Sequence, residues 1–121
     1  MAKNMAGIKN ITKKALLSED AEFCNNVFSK ARGLMFSKKS KALIFIFKKE
    51  KIVPLHMAFV FFPIDVLFLN KNKEIAEIKE SLMPFAFYTP KKKAAYIIEL
   101  PQGTVKRTKT ELGDKISFDY E

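Results

Sequence analysis

Apolar and polar positions along the chain change period once, and that change divides the reading. Over residues 18–32 the apolar side chains Phe23, Cys24, Val27, Phe28 and Ala31 recur at spacings of three and four, which predicts an amphipathic helix. Ser18 or Asp20 would cap its start, Glu19 and Glu22 would sit at its positive end, and Gly33 would supply the left-handed position that ends it. Ahead of it, residues 8–14 read as a weakly patterned first strand and residues 1–7 as a flexible N-terminal tail.

Beyond residue 40 the period becomes that of strands. Residues 42–47 form a six-residue run of aliphatic and aromatic side chains, too short for a helix and suited to a buried strand. Residues 58–62 give a second such run, Pro63 interrupts, and residues 64–69 give a third. Asn70-Lys71-Asn72-Lys73 is a turn by composition, and the alternation of residues 74–79 then predicts a hairpin. Residues 81–90, with Pro84, Pro90, Phe85, Phe87 and Tyr88, read as an ordered loop pinned by rings. Residues 94–100 return to strand, with Tyr96, Ile98 and Leu100 on one face and Ile97 and Glu99 on the other. A turn at Pro101-Gln102-Gly103, a helical turn over 104–110 and a last strand over 115–120 complete the chain. The expected fold is mainly β: a small β-sandwich or barrel with one α-helix packed against it, residues 8–121 forming a single domain.

Composition narrows the class further. One domain fits 121 residues, and 48% hydrophobic content is that of a globular chain. Cys24 stands alone, so no internal disulfide or thiolate zinc site can form, and a reducing cytoplasm is the expected location. The apolar runs are about a third of the length a membrane-spanning helix needs, so no membrane insertion is expected. Net charge is +9, from 22 Lys and Arg against 13 acids, with Arg32 and Arg107 the arginines. Such a field attracts polyanions. Arginine, whose fork reads phosphate and guanine, is nevertheless scarce, and the basic residues come in groups flanking apolar segments: Lys38, Lys39, Lys41; Lys48, Lys49, Lys51; Lys91, Lys92, Lys93; Lys106, Arg107, Lys109. Flanking lysines also keep Phe-rich strands from aggregating, so nucleic acid is an expected partner of second rank, with Lys91, Lys92, Lys93, Lys106 and Arg107 as its candidate basic surface.

The order of several short motifs resembles a known family. Ala31-Arg32-Gly33-Leu34-Met35-Phe36, the strand 43–47, His56-Met57 leading into Pro63-Ile64-Asp65-Val66-Leu67-Phe68-Leu69, Tyr96-Ile97-Ile98-Glu99-Leu100-Pro101-Gln102-Gly103, and Gly113-Asp114 together resemble the family catalogued as domain of unknown function 192, over residues 27–118. The resemblance implies a small β-sandwich or barrel, found in bacteria and archaea, without an established activity. Where many members have Trp-Met followed by a basic residue, Asn and Thr, this chain has His56-Met57-Ala58-Phe59-Val60, so a polar binding surface at that place does not transfer. Gly33, Leu34, Met35, Asp65, Glu99, Gly103, Gly113 and Asp114 do correspond.

Candidate chemistry centres on Asp65. It shares its strand face with Leu67 and Leu69, and a carboxylate in apolar surroundings must lie near the sheet's rim, be held by backbone amides, as in tying down the loop over 54–56, be paired with a cation such as Arg32 or Lys30, or be kept neutral. His56, the only histidine, could serve with it as base and orienting acid, but together they lack a third ligand for zinc. Glu99 alternates with apolar neighbours and reads as solvent-facing or ion-paired; with Asp65 it could form a two-carboxylate site whose separation the sequence leaves open. Arg32 and Met57 complete the candidate pocket. No metal and no cofactor is expected. The reading preferred on these grounds is a non-catalytic module binding a small molecule or a protein through its Phe-rich strand ends and the 81–90 loop. The alternatives are a small enzyme using Asp65 with His56 or Glu99, and an electrostatic nucleic-acid binder.

Overall fold

The computed structural model describes residues 5–24, 41–58 and 60–119. Among these residues the chain forms nine strands and one short helix: β1 (Met5–Asn10), β2 (Ala15–Cys24), β3 (Leu43–Lys51), β4 (Leu55–His56), β5 (Ile64–Leu69), β6 (Ile75–Leu82), β7 (Phe87–Tyr88), β8 (Ala94–Pro101), α1 (Thr104–Thr108) and β9 (Ile116–Ser117). Seven strands make one curled sheet in the order β6-β5-β8-β3-β2-β1-β9, and β4 pairs with β7 separately. Its outer strands approach each other, for the Ile75 and Gly113 amides donate to Asp114 O and Ile75 O (3.0 and 2.9 Å) and Ile116 N donates to Lys73 O (2.9 Å). The sheet is thus tied around its hollow side, which removes bare edges that would otherwise recruit other chains. The mainly β fold with one short helix is as the sequence predicts.

Both faces of the sheet are covered, which explains why β5 is apolar at every position but one and buried throughout. On the hollow side Ile44, Leu67, Leu69, Ile98 and Leu100 pack with Ile8, Leu17, Val105 and Phe118. On the outer side Leu43, Phe45, Val66, Phe68 and Ile97 are covered by Val53, Leu55, Met57 and Val60.

Three sequence expectations are corrected. Residues 18–24, read as the start of a helix, are strand: β2 pairs antiparallel with β1 and parallel with β3, Glu22, Phe23 and Cys24 lying opposite Leu43, Ile44 and Phe45. Two register shifts against β1 insert extra residues into β2, so its buried Leu17 and Ala21 stand four apart, a spacing that mimics a helix. Ser18, assigned as a helix cap, instead accepts from the Asp20 amide at 3.3 Å within this irregular stretch. The rest of the expected helix, with Arg32 and Gly33, lies outside the described residues. Residues 58–62, read as a strand, are loop where described, and Val60 N donates to Met57 O at 3.1 Å in a turn. β5 already has β6 and β8 as neighbours, so the sheet has no vacancy beside it, and the segment folds across the outer face instead. The first strand also begins at Met5, inside the stretch expected to be tail.

Candidate functional site

Asp65 anchors the end of the sheet where β8 passes into α1. Its register shift against β6 sets Ile64 opposite Leu82 but Val66 opposite Lys79, so Asp65 faces a bulge in which Ser81 takes the left-handed conformation (φ 53°). The bulge turns Ser81 N–H onto Asp65 Oδ1 at 3.0 Å. Oδ2 accepts from Gly103 N (3.1 Å) and Val105 N (3.0 Å). Gly103 is the N-cap of α1 and supplies no side chain, so a carboxylate from a strand about 40 residues earlier does the capping, meeting amides the helix leaves unpaired. Gly103 adopts φ 93°, strained for other residues even though a Cβ there would meet nothing within 4 Å. At 1% exposure Asp65 satisfies the rule that a buried carboxylate must be hydrogen-bonded.

The turn that Asp65 holds forms one wall of a groove of about 660 Å³. Pro101, Gln102, Gly103 and Thr104 line one side, Leu17, Ser18, Asp20 and Glu22 of β2 the other, with Lys41 and Arg107 adding positive charge. Asp65 itself is not in the lining. Lys41 Nζ stands 3.9 Å from Glu22, and Arg107 donates weakly to Leu16 O at 3.4 Å. The lining therefore carries both charge signs together with the Gln102 amide, which reaches back to Ser81 Oγ at 2.8 Å.

The other sequence candidates are dispersed. Leu100 lies opposite Asp65 and Glu99 opposite Val66, and because strand side chains alternate, the two carboxylates project from opposite faces of the sheet. Glu99, read as solvent-facing or ion-paired, is 4% exposed, which removes the first alternative. His56 is exposed on β4, whose Leu55 packs on the outer face, so the sheet stands between it and the hollow side to which Asp65 turns. Met57 is buried, and its backbone ties the loops together: its N–H donates to Ala86 O and its carbonyl accepts from Phe85 N, both at 2.9 Å. Lys91, Lys92 and Lys93 lie at the β8 start, while Lys106 and Arg107 lie on α1 after the β8 end, so the five candidate basic residues divide between opposite ends of the sheet.

Sequence reasoning missed Ser18, Asp20 and Glu22 as lining residues because the bulges hid β2. It also missed a buried polar network. Asn10 Nδ2 donates to Thr110 Oγ1 (3.0 Å) and Asp114 Oδ2 (2.9 Å), and Asn10 Oδ1 accepts from Lys13 N (3.0 Å). Lys13 Nζ pairs with Asp114 Oδ1 at 3.2 Å and with Glu111. Burial opposes ionisation of Asp114, but hydrogen bonds from Asn10 and the Glu111 amide, with Lys13, hold its carboxyl below the ordinary value of 3.8. The Glu111 contact correspondingly raises Lys13. On β6, Glu77 accepts from Tyr88 OH and from the Lys91 and Lys92 amides (2.8 and 2.9 Å), which pushes the Tyr88 phenol up to about 12.

Comparison with known proteins adds a lineage. The family model DUF192, described as Uncharacterized ACR, matches residues 8–118. A UPF0127 protein of Pyrococcus furiosus is 36% identical over 112 residues, 91% of this chain and 96% of that protein. One of Thermococcus sibiricus is 35% identical over 93% of this chain and 74% of its own length. Among solved structures, a Sinorhizobium meliloti 1021 protein provisionally named a transcription regulator superposes with a TM-score of 0.82 at 24% identity, covering 97% of this chain and 94% of that one. At that identity the likeness concerns the fold.

Proposed function

Since this chain belongs to the uncharacterised DUF192 family, whose membership carries no activity with it, we propose from the site alone that it is a non-catalytic module holding a small polar ligand in the groove between β2 and the Gln102–Thr104 turn. The observation that carries this reading is the placing of Asp65: the best-buried carboxylate of the site has its oxygens committed to three backbone amides and stands behind the groove wall. A general acid, base or nucleophile has to reach the reacting atoms, and Asp65 is instead arranged to fix a wall. The separation of Asp65, Glu99 and His56 argues against the enzyme reading on the same ground. A groove of about 660 Å³ has the volume of a small-molecule site. Its chemistry suits a ligand carrying an anionic group for Arg107 and Lys41 and a donor for Asp20 or Glu22, as an amino acid or short peptide does.

A thermal-shift screen of charged and zwitterionic metabolites tests this, because a ligand of the native state raises the melting temperature by mass action. The expected hit stabilises the wild type and fails to stabilise Arg107→Ala. Hits that stabilise both equally would remove the groove from the account. A second reading, a protein partner on the outer aromatic surface, is favoured by the exposure of Phe87 (83%), beside Phe61, Met83 and Phe85, a display that monomeric surfaces seldom carry.

A further inference from the structure

The groove lies where β8 ends, and the other end of the same sheet gathers lysines that the sequence had left in separate groups. Strand order brings the close of β3, the β5–β6 turn and the start of β8 together: Lys51 lies opposite Ala94, and Leu69 lies opposite both Tyr96 and Ile75. Lys48, Lys49, Lys51, Lys71, Lys91, Lys92 and Lys93 all belong to these chain ends and all are exposed. Between Ile46–Tyr96 and Lys51–Ala94 the register of β3 gains three residues on β8, so Lys48 and Lys49 sit in a bulge that leaves the ladder. Neighbouring strands are about 5 Å apart, which places the three lysine-bearing ends within about 10 Å across the sheet.

The acids at this end are committed elsewhere. Glu50 accepts from the Lys71 amide (2.7 Å), Glu74 from the Asn70 side chain (3.1 Å), and Glu77 from the Lys91 and Lys92 amides. Glu50 and Glu77 hold the lysine loops by their backbones, and among the described residues no carboxylate lies within ion-pairing distance of any of the seven ammonium groups. Of the seven, Lys51 Nζ has an aromatic neighbour among the described residues, Phe47, at 5.0 Å.

We infer that this lysine end is a binding surface for the sugar-phosphate backbone of nucleic acid, engaged without regard to base sequence. Duplex DNA carries a charge about every 1.7 Å of its axis, so a patch about 10 Å across meets several phosphates at once. Lysine is a point charge suited to that contact, whereas base reading calls for the arginine fork, which this end lacks. Among the described residues no exposed aromatic side chain belongs to these chain ends, and the exposed aliphatic ones beside them, Ile52 and Leu112, are too few to anchor in lipid, so a phosphate backbone fits better than a membrane. The proposal is independent of the ligand groove, which sits at the opposite end.

Fluorescence anisotropy with a labelled random-sequence DNA duplex over a salt series tests it, using two variants that remove equal charge. Lys91→Gln/Lys92→Gln changes the proposed surface; Lys106→Gln/Lys109→Gln changes exposed positions on and just after α1, which follows the β8 end. The expected result is salt-dependent binding by the wild type, weakened about ten-fold or more in the first variant, whose slope of log affinity against log salt falls by about 2, with a much smaller change in the second. Matching melting temperatures show that both variants are folded. Equal weakening in both variants, absence of binding at low salt, or binding to phosphatidylserine vesicles in preference to the duplex would each overturn it.

Discussion

Asp65 shows how one side chain can be legible in sequence while its role is not. The alternation of residues 64–69 marks an acid on an apolar face, and such an acid needs partners. Those partners are the amides of Ser81, Gly103 and Val105, brought to it by a bulge and by the β8–α1 turn, and amides leave no signature in residue type. Asp65→Asn replaces one acceptor oxygen by a donor facing an N–H, and Asp65→Ala leaves three amides unmet. Either variant should lose about 2 to 4 kcal/mol of stability in urea unfolding, Ala the more. A loss below about 0.5 kcal/mol would contradict the anchoring role. The solvent-facing alternative for Glu99 fails for the converse reason: alternation reports a polar face only where that face is open, and the face it shares with Leu43, Val66 and Ile97 is covered.

At the scale of elements, the strands of the central sheet were read correctly because they are short, apolar and bounded by turn residues, and β5, β6 and β8 appear close to where the pattern puts them. β2 was not, because its bulges set Leu17 and Ala21 at a helical interval and its pairing with both β1 and β3 overrides local propensity. Elements are also joined by the Asn10–Lys13–Asp114 network, which ties the β1–β2 turn to the segment before β9. A carboxylate whose folded value is depressed adds stability above its unfolded value and loses it as pH falls through the folded one. Asp114 should therefore support the fold at neutral pH and release that support below pH 3.8. Urea midpoints measured against pH should fall in that acid range for the wild type and fall less for Asp114→Asn, which starts lower at neutral pH. Parallel curves for the two proteins would show that the network carries no such linkage.

For the whole molecule, the curled sheet sorts the charge of the described residues into two ends of different composition. One end has a mixed-charge groove whose wall is fixed by a buried acid; the other has unneutralised lysines on loops held by Glu50 and Glu77. Net charge alone raised a polyanion partner without saying where, and strand order gathers the lysines at the end proposed for it. The central claim is that a small ligand occupies the groove while Asp65 stays behind its wall. Chemical-shift mapping of a stabilising metabolite on isotope-labelled protein tests it most directly. The account predicts the largest perturbations at Ser18, Asp20, Gln102, Gly103 and Arg107, with His56 and Phe87 undisturbed. Perturbations centred on His56, Phe85 and Phe87 would contradict it and move the binding site to the outer aromatic surface.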